Sequence, residues 1–143
     1  MTTRRRSVST LRVRYAETDQ MGVVYHAHYL VWCEIGRTDF LRALGRTYAE
    51  LERDGVFLAV TEAHVRYLAS AHYDEEIRIE TWIERVQSRA VTFGYEISRV
   101  SPAPETRLAV ATTTLVALDS QGAPVRLPPD VLQALRDAST PAP

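Results

Sequence analysis

The sequence predicts an α+β domain in which a five-stranded, mostly antiparallel sheet wraps a long central helix. Three observations lead there. A strand-like segment opens the domain, an almost unbroken apolar series runs from Ala27 to Leu44, and four long strand-like runs follow. A helix that is apolar nearly all round must be enclosed, and strands of ten or more residues are long enough to curl around it.

Taken in order, Leu11, Val13 and Tyr15 alternate with Arg12 and Arg14, the period-2 pattern of a half-buried strand. The segment Asp19 to Gly22 is a turn-like break. Tyr29-Leu30-Val31-Trp32-Cys33, then Ile35, Phe40, Leu41 and Leu44, make the helix, and Gly45 supplies its C-terminal cap. Thr47 and Glu50 have capping-box spacing, with Gly55 closing a short connector helix. Strands are expected over Val56–Leu68, Glu76–Val86, Ala90–Val100 and Arg107–Leu118. In the second of these, Ile77, Ile79 and Ile83 share one face while Arg78, Glu80 and Glu84 share the other. Gln87-Ser88-Arg89 is a hairpin-like connection, and Pro128-Pro129-Asp130 opens a terminal helix through about Arg136. A cone-shaped α+β fold could share these elements, but such cones usually begin with helices.

A chain of 143 residues is one domain's worth, without linker or repeat. We expect a flexible tail over residues 1–9, a single domain over 10–137 and a second tail over 138–143. With 17 basic against 18 acidic side chains there is no global field to attract nucleic acid or an anionic membrane. The longest mainly apolar run, Met21 to Cys33, falls short of the roughly 20 residues of a membrane span. One cysteine cannot form an internal disulfide, and no apolar segment follows the N-terminal arginines, so a cytoplasmic protein is expected.

Several chemistries are excluded by glycine spacing. The six glycines stand at 22, 36, 45, 55, 94 and 122, never closer than nine apart. A dinucleotide fingerprint, a P-loop and a nucleophile elbow each need clustered glycines. Cys33 lies seven helical residues, about 10 Å, from His26 and has no other base nearby, so it reads as a buried structural cysteine. His26 and His28 diverge by about 200° on a helix, which argues against a metal.

What remains is Tyr15-Ala16-Glu17-Thr18-Asp19-Gln20-Met21-Gly22-Val23-Val24-Tyr25-His26-Ala27-His28-Tyr29. It sets a carboxylate, a turn and a helix start in succession. A helix start presents unpaired N–H groups suited to a developing oxyanion, and an acid just upstream can attack a carbonyl or activate water. Glu17 and Asp19 would lie on the same side of an extended segment, so spacing alone does not separate them.

This stretch resembles the hydroxybenzoyl-CoA thioesterase family of hotdog proteins, whose pattern runs Tyr-x-Asp/Glu-Thr-Asp-x-x-Gly-x-Val-Tyr-His-x-x-Tyr. A second segment, Val65-Arg66-Tyr67-Leu68-Ala69-Ser70-Ala71-His72-Tyr73-Asp74-Glu75, resembles the family's strand and turn after the helix, with Ser70 where proline is common. The resemblance extends from about Leu11 to Arg136. It implies a hotdog fold and an acyl-CoA thioesterase that releases a carboxylic acid and free coenzyme A. It favours Asp19 over Glu17, as nucleophile or general base, with the His26 backbone N–H polarising the carbonyl. The side chains of His26 and Tyr15 would orient the acid or the thioester. Coenzyme A enters as part of the substrate, and no metal or redox cofactor is implied. Its phosphates would meet Arg85, Ser88 and Arg89, because the family holds the nucleotide near that hairpin. Family members are dimers or dimers of dimers, so a homo-oligomer is expected. Acyl groups on a carrier protein, or a non-hydrolytic acyl-binding module of the same fold, are the alternatives.

Overall fold

The computed structural model describes residues 5–139, so the outer parts of both expected tails, 1–4 and 140–143, lie outside the described residues. Strand β1 covers Ser7–Arg12 and pairs antiparallel with β3, Glu76–Val86, from Ser7↔Thr81 to Arg12↔Glu76. The ordered domain thus starts earlier than expected. Pairing ties down the β3-facing backbone groups of Ser7 to Thr10, and the Arg6 guanidinium lies 4.2 Å from the centre of the Trp82 ring. At the other end helix α3, Pro129–Ser139, runs past the expected boundary at 137 and buries Ala138.

Strand β3 continues through a hairpin into β4, Ala90–Ser101, and then into β5, Thr106–Leu118, while β2, Phe57–Tyr67, pairs with the free side of β5. The sheet order is β1-β3-β4-β5-β2 and every pairing is antiparallel. Alternation in β3 is as expected. Ile77, Ile79, Thr81 and Ile83 are buried, while Arg78, Glu80 and Trp82 are only partly covered.

Helix α1, His28–Ala43, lays Tyr29, Trp32, Cys33, Gly36, Phe40 and Leu41 on the concave side of this sheet. Gly36 rides directly over β3, where a Cβ would collide with Thr81 Oγ1 and touch Ile79 Cγ2. The opposite flank of α1 is not enclosed within one chain. Leu30, Val31 and Ile35 stay 38%, 43% and 37% exposed. Thr47 caps helix α2, Tyr48–Arg53, by accepting from the Glu50 N–H at 3.2 Å, and Gly55, at φ +83°, ends the connector.

Candidate active site

Between β1 and α1 the chain is not extended. Tyr15–Glu17 forms a single 3-10 turn, closed by the Arg14 N–H donating to Glu17 Oε1 at 2.8 Å. This turn folds Glu17 back into the core, where it is 3% exposed and Oε2 accepts from the Trp32 indole N–H at 2.9 Å. Both oxygens of Glu17 are therefore engaged. The expectation that Glu17 and Asp19 lie on one side fails because a 3-10 turn separates their directions. The three-residue spacing of Arg14 and Glu17 was the available signal.

Asp19 sits at the mouth of a tight reversal. Its N–H donates to Val23 O at 2.9 Å, its carbonyl accepts from Gly22 N–H at 2.9 Å, and Gly22 takes φ +79°. Oδ1 accepts from the Met21 N–H at 2.8 Å, an Asx-type turn, whereas Oδ2 has no hydrogen bond among the described residues. One oxygen fixes the carboxylate and the other is available for chemistry.

Val24 joins this reversal to the segment after β2 through its N–H to Ala71 O at 2.8 Å, and Tyr25 N–H donates to Glu17 O at 2.9 Å. Helix α1 then begins at His28, with Ala27 as an N-cap that offers no side-chain bond. Among the described residues neither the His26 nor the Ala27 N–H has an acceptor. The start of α1 is an uncapped pair of donors carrying the positive end of the helix dipole.

Next to this start lies a cavity of about 320 Å³ lined by Val24, His26, Tyr29, Tyr67, Leu68, Ala69 and Ser70. Sequence reasoning passed over Tyr67, which the structure places against both His26 and Tyr29. Burial raises the Tyr29 and Tyr67 hydroxyls above the ordinary phenol value, so both stay protonated at neutral pH. Cys33, wholly buried, has its thiol pushed up to about 12 by loss of hydration, which leaves it a poor nucleophile.

The other expected site residues are dispersed. Tyr15 is 77% exposed, its ring packs edge-on to Tyr73 at 5.6 Å, and no hydrogen bond joins it to Asp19 or His26 among the described residues. Arg85, Ser88 and Arg89 occupy the β3–β4 hairpin. That hairpin lies roughly 30 Å along β3 from its Glu76 end, the end next to Asp19 and His26. Within one chain the two groups do not meet. His26 and His28 both pack against Tyr25, and no three potential metal ligands cluster among the described residues.

Comparison with known proteins fits this geometry. YneP of Bacillus subtilis is 41% identical over 115 residues, 80% of this chain and 81% of that protein. The acyl-CoA thioesterase YbgC of Haemophilus influenzae is 32% identical over 126 residues, 87% of this chain and 90% of its own. Among solved structures, the DHNA-CoA thioesterase from Staphylococcus aureus superposes with a TM-score of 0.87 at 32% identity, covering 92% of this chain and 89% of that one. The family model described as thioesterase-like superfamily matches residues 13–135, from the end of β1 through most of α3. The match over residues 13–135, with relatives that share 32–41% of their residues over most of both chains, places this chain in the thioesterase-like superfamily.

Proposed function

We propose that the protein hydrolyses acyl-CoA thioesters, with Asp19 Oδ2 as the attacking or water-activating group. One observation carries the assignment to Asp19. Of the two acids in the turn, Glu17 spends both oxygens on Arg14 and Trp32, while Asp19 spends one on Met21. In the reaction the carbonyl carbon gains a bond to oxygen, the negative charge on the carbonyl oxygen is met by the N–H groups of His26 and Ala27, and the C–S bond breaks to release coenzyme A. Water supplies the oxygen added to the acyl carbon and both protons, one kept on the carboxylic acid and one passed to the departing thiolate; if Asp19 attacks first, the same water cleaves the mixed anhydride and restores the carboxylate, so no further reactant is needed. The imidazole of His26 is at the cavity wall, where it can orient the thioester.

The working form is a homo-oligomer. Its support is the apolar flank of α1, Leu30, Val31 and Ile35, together with Phe57 and Val60 on the edge strand β2. Pairing β2 with a second copy about a two-fold axis across the strands also turns the partner's β3–β4 hairpin toward this chain's cavity end. Counting strands, that hairpin then lies roughly 15–20 Å to the side. Arg85, Ser88 and Arg89 would meet the coenzyme A phosphates from there. The buried, unpaired Cys33 suits a reducing compartment such as the cytoplasm.

A panel of short, long and aromatic acyl-CoAs, with matched carrier-protein thioesters alongside, tests the reading by following free thiol. Turnover of at least one acyl-CoA is expected, with the loss of on the order of a hundredfold or more in Asp19→Asn. No release from any acyl-CoA by the unaltered protein would overturn the activity; preference for the carrier thioesters would move the substrate class.

A further inference from the structure

Tyr67, the last residue of β2, reaches over to the peptide that begins α1. Its hydroxyl donates to the His26 carbonyl at 2.8 Å. Its ring stands edge-on to His26, 6.3 Å and 88°, and to Tyr29, 5.1 Å and 87°. The platform beneath is fixed, because Tyr29 is 2% exposed and its hydroxyl accepts from the Ala71 N–H at 3.3 Å.

In a trans peptide the carbonyl and the following N–H point in opposite directions. A bond that holds the His26 carbonyl therefore sets the direction of the Ala27 N–H, one of the two donors without an acceptor. Donation to the carbonyl also polarises the peptide, and coupled hydrogen bonds strengthen one another by roughly 10–30%. Nothing else does this as well. Among the described residues the only other bond to that carbonyl is from the Tyr29 N–H at a long 3.4 Å, and the Ala27 N-cap has no side-chain oxygen.

We infer that Tyr67 is a positioning residue: its hydroxyl orients and polarises the His26–Ala27 peptide, so that the Ala27 N–H meets the charge developing on the thioester oxygen. The inference rests on the thioester-hydrolysis reading for its chemical consequence, though the peptide's orientation stands apart from it. It explains why a strand-end tyrosine 45% exposed is tied to a loop forty-one residues away.

Two variants and two readouts test it. Tyr67→Phe keeps the ring and removes only the donor; 3-fluorotyrosine at position 67 keeps the donor. In Tyr67→Phe we expect kcat on an accepted acyl-CoA to fall about tenfold, with KM within about twofold and the melting temperature unchanged. The Ala27 amide resonance, read by nitrogen-labelled NMR without substrate, should move in Tyr67→Phe and return in the 3-fluorotyrosine protein, which should also regain kcat. An unmoved Ala27 resonance, an unchanged kcat, or a loss of kcat matched by a loss of thermal stability would each overturn the role. If the unaltered protein cleaves no thioester, the hydrolysis reading falls, and the Ala27 resonance alone decides whether Tyr67 holds the peptide.

Discussion

The Trp32 indole N–H donates to Glu17 Oε2 at 2.9 Å in the interior of the domain, and this bond divides two acids of similar chemistry into different tasks. Glu17 ties the turn after β1 to α1. Asp19, two residues on, has one oxygen without a hydrogen bond among the described residues. Replacing Glu17 by alanine strands a buried indole donor and the Arg14 N–H, so a loss of about 1–3 kcal/mol in urea unfolding is expected. Asp19→Asn should stay within about 0.5 kcal/mol of the parent while losing turnover. A Glu17→Ala protein of full stability and no activity would reverse the assignment.

A tight approach of helix to sheet gives a second test. Gly36 of α1 faces Thr81 and Ile79 of β3, and Thr81 Oγ1 is buried without a hydrogen-bond partner among the described residues. Gly36→Ala should lower stability by about 1–3 kcal/mol despite alanine's better helix propensity, because overpacking outweighs it. Adding Thr81→Ala makes room and should recover part of the loss, a coupling visible in a double-mutant cycle. Simple additivity of the two changes would show that the contact is slack.

Much of this was legible from the chain. The bounds of β3 and the start of β4 follow from alternation and a short turn, and the Thr47 cap follows from its spacing to Glu50. The 3-10 turn at Tyr15–Glu17 was not read: the spacing of Arg14 and Glu17 hints at it, but the bond to Trp32 that holds Glu17 in the core is long-range and local pattern does not display it. Tyr67 was passed over for the same reason. A tyrosine at a strand end looks ordinary until the fold brings it to His26. The apolar circumference of α1 asked for burial on every side, but within one chain the sheet covers only part of it and leaves Leu30, Val31 and Ile35 exposed.

That uncovered flank leads to a third prediction. Val31→Glu places a charge on the exposed apolar side of α1, where desolvating it in an interface costs several kcal/mol while leaving the single chain's core untouched. Sedimentation should show a shift toward monomer, with turnover lost in parallel. An unchanged mass would put the oligomer contact elsewhere.

Alkaline pH supplies a fourth. Burial pushes the Cys33 thiol to about 12 and raises the Tyr29, Tyr48 and Tyr95 hydroxyls. In the unfolded chain the thiol titrates near about 8.5, so between there and pH 12 the unfolded state releases a proton that the folded state keeps. Stability then falls as pH rises, at up to about 1.4 kcal/mol per pH unit for the thiol, with the tyrosines adding from about pH 10. Cys33→Ala should delay the onset of that loss by more than a pH unit in urea titrations. An identical onset in both proteins would mean that the thiol is not shielded.

Within one chain the β3–β4 hairpin and the cavity lie at opposite ends of the sheet. Arg85 and Arg89 are exposed, and Arg85 bonds only Gln87, at 3.4 Å, among the described residues. If they meet phosphates, charge reversal at both positions should raise KM for an acyl-CoA by about tenfold or more while leaving kcat nearly unchanged, because the reacting carbonyl is untouched. The same variant should handle a truncated thioester, lacking the nucleotide and its phosphates, no differently from the parent. Since one chain separates hairpin and cavity by roughly 30 Å along β3, mixing this double variant with Asp19→Asn should restore low KM turnover in hybrid dimers, where one subunit gives Asp19 and its partner the arginines. Absence of that rescue, with the KM effect intact, would place the nucleotide on the subunit that performs the cleavage.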